Sequence, residues 1–131
     1  MNVKKNILIV TDGAESTVKM AEALAVVLKG SKVTVKDAAY FEGIDLLPVD
    51  AFFIGCEVPT PSSFGYIEEL LQHINLAGRS CGVFSPGSKQ AAQYLARIIR
   101  DSGAALNPAP LFAAGRKDLN AWAEKVIANN F

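Results

Sequence analysis

The sequence predicts an α/β fold, a three-layer sandwich in which a five-stranded parallel sheet of order 2-1-3-4-5 lies between two layers of helices. Two observations carry this prediction. Segments with strand character alternate with segments whose apolar residues recur at helical spacing, which is typical of parallel sheets with right-handed crossovers. Residues 7–11 and most of residues 50–55 are apolar or β-branched without alternation, which indicates strands buried on both faces.

The strands follow from these patterns in chain order. We expect strands to begin near residues 5, 32, 50, 80 and 105. Residues 32–36 alternate between polar and apolar, and residues 104–112 are interrupted by Pro108 and Pro110; both patterns are typical of edge strands. The three apolar strands then lie inside the sheet, and we expect Ile9, Phe53 and Val83 in its buried middle.

The helices are marked by their capping residues. The first helix is expected to end at Gly30, and the second to open at Ser62 or Ser63 and to break at Gly78. The third is expected over residues 90–102, closed by Gly103, and the fourth to start from an N-cap at Asp118. Residues 37–49 are too apolar for a free linker and are predicted to lie against the sheet as a short turn or irregular helix.

Composition bounds the function. The chain has 131 residues, a size typical of a single domain, and we expect one domain over residues 1–131. Its 13 basic and 13 acidic side chains give a formal net charge of zero, which provides no general attraction to nucleic acid or to anionic membranes. No run approaches the ~20 apolar residues of a membrane span, and no signal-peptide pattern follows Lys4 and Lys5. Two cysteines imply no disulfide framework, and we expect a cytoplasmic protein.

The strand order places one ligand crevice. In a 2-1-3-4-5 sheet, the loops after strands 1, 3 and 4 converge at the carboxyl edge, where open α/β sheets bind ligands. The first of these loops, Asp12-Gly13-Ala14-Glu15-Ser16-Thr17, joins a strand to a helix. The amides of a first helical turn and the helix dipole favour an anion there, although an ordinary connection capped by Ser16 or Asp12 has the same form.

This loop and the helix segment at residues 20–25, Met-Ala-Glu-Ala-Leu-Ala, resemble the flavodoxin family, and the resemblance extends over essentially the whole chain. Flavodoxins hold the phosphate of FMN in a loop of the form Ser/Thr-x-Thr-Gly-x-Thr. Thr17 matches its last hydroxyl, whereas Asp12, Ala14 and Glu15 stand where the family has the first hydroxyl, the second hydroxyl and the glycine.

The resemblance implies that FMN is the cofactor and that three loops hold it. The implied phosphate loop is Thr11, Asp12, Gly13, Ala14, Glu15, Ser16 and Thr17. The loops that would border the flavin ring are Cys56, Glu57, Val58, Pro59 and Thr60 after strand 3, and Ser85, Pro86, Gly87 and Ser88 after strand 4. Neither ring loop carries the expected aromatic residue, and Phe64 and Tyr66 either stack on the flavin or pack at the start of a helix.

Asp12 and Glu15, the two acids of the first loop, either repel the phosphate of FMN or point away from it. A carboxylate a few ångströms from the phosphate opposes it by about 1–4 kcal/mol per pair, depending on the effective dielectric. In that case, replacing Asp12 by serine and Glu15 by glycine tightens FMN binding. Alternatively, Asp12 caps the helix or turns outward and Glu15 faces solvent. We expect repulsion.

Other chemistry is sparse. Cys56 is expected to end strand 3 facing the crevice, without a histidine or lysine near in sequence to activate it. Cys81 begins strand 4, and therefore lies at the opposite end of the sheet, too far for a disulfide. His73 is expected to have a solvent-edge or packing role. No residues have metal-ligand spacing, and no catalytic set is predicted.

Two functions remain open. Residues 37–76 contain seven acidic residues and neither lysine nor arginine. Such a surface suits an electron carrier that meets a basic redox partner protein. The first hypothesis is a flavodoxin-like FMN-binding electron-transfer protein. The alternative is a flavodoxin-fold module that has lost flavin and binds a protein or another small ligand.

Overall fold

The structure is a computed structural model that describes residues 5–46, 48–77, 79–104, 110–112 and 116–128. The strands are β1 (Asn6–Thr11), β2 (Lys32–Asp37), β3 (Ala51–Gly55), β4 (Ser80–Ser85) and β5 (Leu111–Phe112). The helices are α1 (Glu15–Val27), α2 (Gly65–His73), α3 (Lys89–Ser102) and α4 (Arg116–Ala128). Short 3-10 helices cover Ala38–Tyr40, Gly43–Leu46 and Ser62–Phe64.

The five strands form one sheet of order β2-β1-β3-β4-β5 in which every pair is parallel. This confirms the predicted topology and places β2 and β5 at the edges. Ile9 lies opposite Phe53, and both side chains are 0% exposed, as is that of Val83. The doubly apolar strands are therefore the interior ones.

Helices cover both faces of the sheet. On one face α1 and α4 enclose a core in which the rings of Phe53 and Phe84 meet Trp122 edge-on, with centroids 5.4 and 6.4 Å apart. On the other face α2 and α3 enclose a second core that includes Val10, Phe64 and Leu95. Burial on two faces explains why the central strands have no polar alternation.

Several predicted boundaries differ from the structure. Helix α1 ends at Val27, because the amide of Lys29 donates to the carbonyl of Val26 in a tightened last turn, and no left-handed glycine is needed. Helix α4 begins at Arg116, so Asp118 lies in its first turn and is not its N-cap. The described part of the last strand is only Leu111 and Phe112.

Other boundaries agree with prediction. The hydroxyl of Ser88 accepts the amide of Ala91 at 3.0 Å and caps α3, and Gly103 ends that helix with φ +81°. The apolar segment after β2 packs on the sheet through two 3-10 turns, as expected.

Helix α2 does not open at Ser62 or Ser63 as predicted: both serines lie in the 3-10 turn Ser62–Phe64, and the helix begins at Gly65 with Phe64 as its N-cap. Helix α2 ends at His73, with the extended Ile74 as its C-cap, and so stops before the break predicted at Gly78. Gly78 and Pro108 themselves lie outside the described residues.

Candidate functional site

Three loops meet at the carboxyl edge of the sheet, after β1, β3 and β4. These strands are neighbours in the sheet. The amide of Cys56 donates to the carbonyl of Phe84 at 3.3 Å, which joins the loop after β3 to strand β4. The amide of Glu57 donates to the carboxylate of Asp12 at 2.8 Å, which joins the first loop to the second. The predicted site segments are thus brought together.

The first loop turns sharply between β1 and α1. Gly13 has φ +82°, a left-handed conformation that favours glycine. A β-carbon at this position would lie 2.6 Å from the Oδ2 atom of Asp37, so space and backbone both require glycine. The hydroxyl of Thr11 accepts the amide of Gly13 at 3.2 Å, and the Oδ1 atom of Asp12 accepts the amide of Ala14 at 3.1 Å. The loop is ordered by its own side chains.

Asp12 has a role that neither hypothesis described. Its two carboxylate oxygens accept the amides of Ala14 and Glu57, so the side chain neither caps α1 nor turns outward. Glu57 in turn accepts the hydroxyl of Ser16 at 2.6 Å. We call Asp12, Glu57 and Ser16 the acidic clasp, because these residues close the first loop against the second.

Glu57 is the functional partner that sequence reasoning missed. The sequence assigns Glu57 to the loop that would border the flavin ring, and gives no sign that it contacts the loop expected to hold the phosphate. Asp12 and Glu57 are 45 positions apart, so no local pattern links them. The available signal was topological: β1 and β3 are adjacent, and an acid follows each within two residues of its end, Asp12 after Thr11 and Glu57 after Gly55.

The start of α1 has unused hydrogen-bonding capacity. Ala14 is the N-cap residue and offers no side-chain acceptor to the first-turn amides. The hydroxyl of Thr17 is fully buried, and no described residue is its hydrogen-bond partner. Glu15, by contrast, is exposed and pairs with Lys19 at 3.2 Å, so the solvent-facing alternative is correct for this acid.

Cys56 does not face the crevice, contrary to prediction. Its side chain is 0% exposed and lies in the core between the sheet and helices α2 and α3. Burial, and secondarily the charge of Asp12, raises the pKa of its thiol to about 12, so the thiol stays protonated at neutral pH and is not a nucleophile. Burial also raises the pKa of Cys81. Both cysteines are free, as expected.

The rest of the second loop is exposed. Val58, Pro59 and Thr60 are all solvent-accessible, and Val58 is half exposed. Thr60 has φ +50°, a strained backbone conformation for a β-branched residue. Such strain is concentrated at functional sites, which agrees with a role for this segment at the edge of the crevice.

The third loop mainly caps α3. Ser85 is 0% exposed, and its hydroxyl accepts the amide of Ser88 at 3.2 Å. Ser88 uses its own hydroxyl for the helix cap. Only Pro86 and Gly87 remain as a small rim whose backbone groups border the crevice.

The aromatic residues near the crevice have structural roles. Phe64 is 0% exposed, and its ring packs 6.4 Å from that of Tyr94, so the packing alternative is correct for this residue. Tyr66 is half exposed, but its hydroxyl accepts the amide of Gly43 at 2.9 Å and its ring lies beside Phe41. His73 is exposed at the end of α2.

The described residues contain neither a metal site nor a membrane-spanning helix. Among them, no group of three or more histidine, cysteine, aspartate or glutamate side chains could hold a metal ion. Within the same ranges, no helix has both the length and the apolar character needed to cross a membrane.

Solved flavodoxins have the same architecture. Flavodoxin from Streptococcus pneumonia is 20% identical, with a TM-score of 0.80 over 94% of this chain and 97% of that one. Oxidised flavodoxin 2 from Bacillus cereus is 21% identical, with a TM-score of 0.75 over 95% and 97%. A variant of Fusobacterium nucleatum flavodoxin bound to flavin mononucleotide is 11% identical, with a TM-score of 0.77 over 98% of each chain.

Sequence comparison adds nothing to this likeness: no protein-family model matches the chain, and no curated protein matches it. The likeness is therefore one of architecture, at low identity but across nearly the full length of both partners. The strand order, the parallel pairing and the helices on both faces agree with it. The chain has the flavodoxin-like fold.

Proposed function

We propose that the chain is a flavodoxin-like electron-transfer protein that binds FMN at the carboxyl edge of its sheet. The observation that carries the proposal is the start of α1. There, a helix without a side-chain cap combines with the buried, unpartnered hydroxyl of Thr17. A buried hydroxyl without a partner costs free energy, and a phosphate at a helix N-terminus would satisfy it.

The backbone amides and the Thr17 hydroxyl at this site suit a phosphate, whereas the charges of the nearby acids do not. The first-turn amides of α1 and the hydroxyl of Thr17 would hold it, while Asp12 and Glu57 oppose it from the acidic clasp. Backbone groups of residues 58–60 and 86–87 would border the flavin ring. The flavin itself supplies the electron-transfer chemistry, and the chain binds, orients and shields it.

The proposed partner is a basic redox protein. The acidic segment at residues 37–76 has exposed carboxylates that include Glu42, Glu57 and Glu69. A negative surface steers a positive partner toward the flavin edge and raises the association rate. A cytoplasmic location is part of this proposal, and the two free cysteines support it.

The experiment is a fluorescence titration of the chain with FMN. Thr17→Val keeps the size and shape of the side chain but removes its hydroxyl. We expect about tenfold weaker FMN binding, since a hydrogen bond to a charged group contributes roughly 1.5–3 kcal/mol.

The matched control is Thr34→Val on the exposed edge strand β2, which should bind FMN like the wild type. Equal affinities for the wild type and Thr17→Val would contradict the assigned role of Thr17. If the folded wild type leaves FMN fluorescence unchanged, the proposal that the chain binds FMN fails.

A further inference from the structure

Part of the hydrogen-bonding capacity of the loop, next to the uncapped first turn of α1, is already used by the chain itself. Asp12 takes the amides of Ala14 and Glu57, at 3.1 and 2.8 Å. The hydroxyl of Ser16, the nearest exposed hydroxyl of the loop, is taken by Glu57 at 2.6 Å. An incoming phosphate must therefore displace a carboxylate before it can reach these groups.

The charge around the loop opposes the same phosphate. Asp12 and Glu57 lie in the clasp, and the carboxylate of Asp37 lies directly against Gly13. Among the described residues, Lys19 is the one cation in an ion pair with an acid of the loop, and it pairs with the exposed Glu15 outside the clasp. A phosphate near −2 charge would meet at least two carboxylates, whereas the one cation that the described residues pair with this loop, Lys19, lies outside the clasp.

The loop has little room to rearrange around these acids. Gly13 is held in a left-handed conformation against Asp37, and Asp37 is itself fixed because it accepts the amide of Ala39 at 2.8 Å. Thr11 is 2% exposed and also engaged with the loop. The clasp therefore sits on an ordered base.

We infer that this site prefers an uncharged flavin, riboflavin, to FMN. The inference rests on the proposed function and specifies which flavin its site takes. Riboflavin ends in a hydroxyl where FMN carries a phosphate. A hydroxyl donates a hydrogen bond, and the carboxylates of Asp12 and Glu57 are acceptors. The unpartnered hydroxyl of Thr17 remains available to a second hydroxyl of the ligand. The acids that repel a phosphate thus attract the end of the uncharged ligand.

The test titrates the wild-type chain separately with riboflavin and with FMN, following flavin fluorescence. We expect riboflavin to bind about tenfold more tightly than FMN, with a difference that shrinks at high salt because the repulsion is screened. The double variant Asp12→Asn with Glu57→Gln keeps side-chain acceptors but removes both charges. We expect this variant to bind FMN about tenfold more tightly than the wild type and to lose the preference for riboflavin, because its neutral acceptors hold a hydroxyl less strongly than carboxylates do.

Asp101→Asn is the matched control, because it removes an exposed charge at the far end of α3, and it should leave both affinities unchanged. FMN binding as tight as or tighter than riboflavin in the wild type would overturn the inference and leave the proposed function standing. Failure of both flavins to bind would overturn both. The riboflavin and FMN affinities of the wild-type chain test the inference even if the double variant does not fold.

Discussion

Replacing Phe53 by alanine is expected to lower the free energy of unfolding by about 4 kcal/mol. Phe53 lies in the middle of the central strand β3, is 0% exposed, and meets Trp122 edge-on with a centroid distance of 5.4 Å. The substitution removes a ring that joins the sheet to α4 and leaves a cavity, because the surrounding strands are held by their neighbours in the sheet. Urea denaturation followed by tryptophan fluorescence measures the loss.

The matched control for Phe53 is Tyr40→Ala, which removes an aromatic ring that is 74% exposed. Its effect should stay within about 0.5 kcal/mol, as for most surface substitutions. A loss below about 1 kcal/mol in Phe53→Ala would contradict the packing described for this face of the sheet.

Replacing Gly55 by alanine is expected to cost about 3 kcal/mol. A β-carbon at the end of β3 would lie inside the van der Waals contact distance of the Phe84 ring, with Cδ2 at 2.7 Å. Phe84 is 0% exposed and packs on Trp122, so its ring cannot move away without disturbing the core. Thermal and urea unfolding of the variant measure the cost.

Gly65→Ala is the control for the same chemical change. Gly65 opens α2 with helical dihedral angles, and a β-carbon there would meet nothing within 4 Å. Its stability should stay the same or rise by up to about 1 kcal/mol, because alanine is the better helix former. If Gly55→Ala is as stable as Gly65→Ala, the Phe84 ring does not pack against β3 as closely as described.

Much of the fold could be predicted because its signals are local and repeated. Buried parallel strands lack alternation, and the edge strand β2 shows it, so exposure patterns determine the order of the strands. Helix α3 carries its own signals in Ser88 and Gly103. The end of α1 was predicted wrongly because Gly30 is a common stop signal, whereas the helix closed earlier through backbone bonds alone.

The site was predicted less completely, because its contacts are long-range. Topology brings the three loops together, and the acids of the first loop were recognised as unusual. The direction of a side chain, however, depends on what lies across the crevice. Asp12 turns toward the amide of Glu57 in the loop after β3. Cys56 turns into the core, although the next residue in sequence, Glu57, is exposed. Neither orientation has a local sequence signal.

Equilibrium dialysis of the wild-type chain against riboflavin and against FMN tests the central claim, flavin binding at this edge of the sheet, most directly. The chain is placed on one side of the membrane at a concentration in the high micromolar range, and free flavin is measured on both sides. We expect an excess of flavin on the protein side that saturates at one flavin per chain and is larger for riboflavin. Equal concentrations of both flavins on the two sides, with the chain folded, would contradict it.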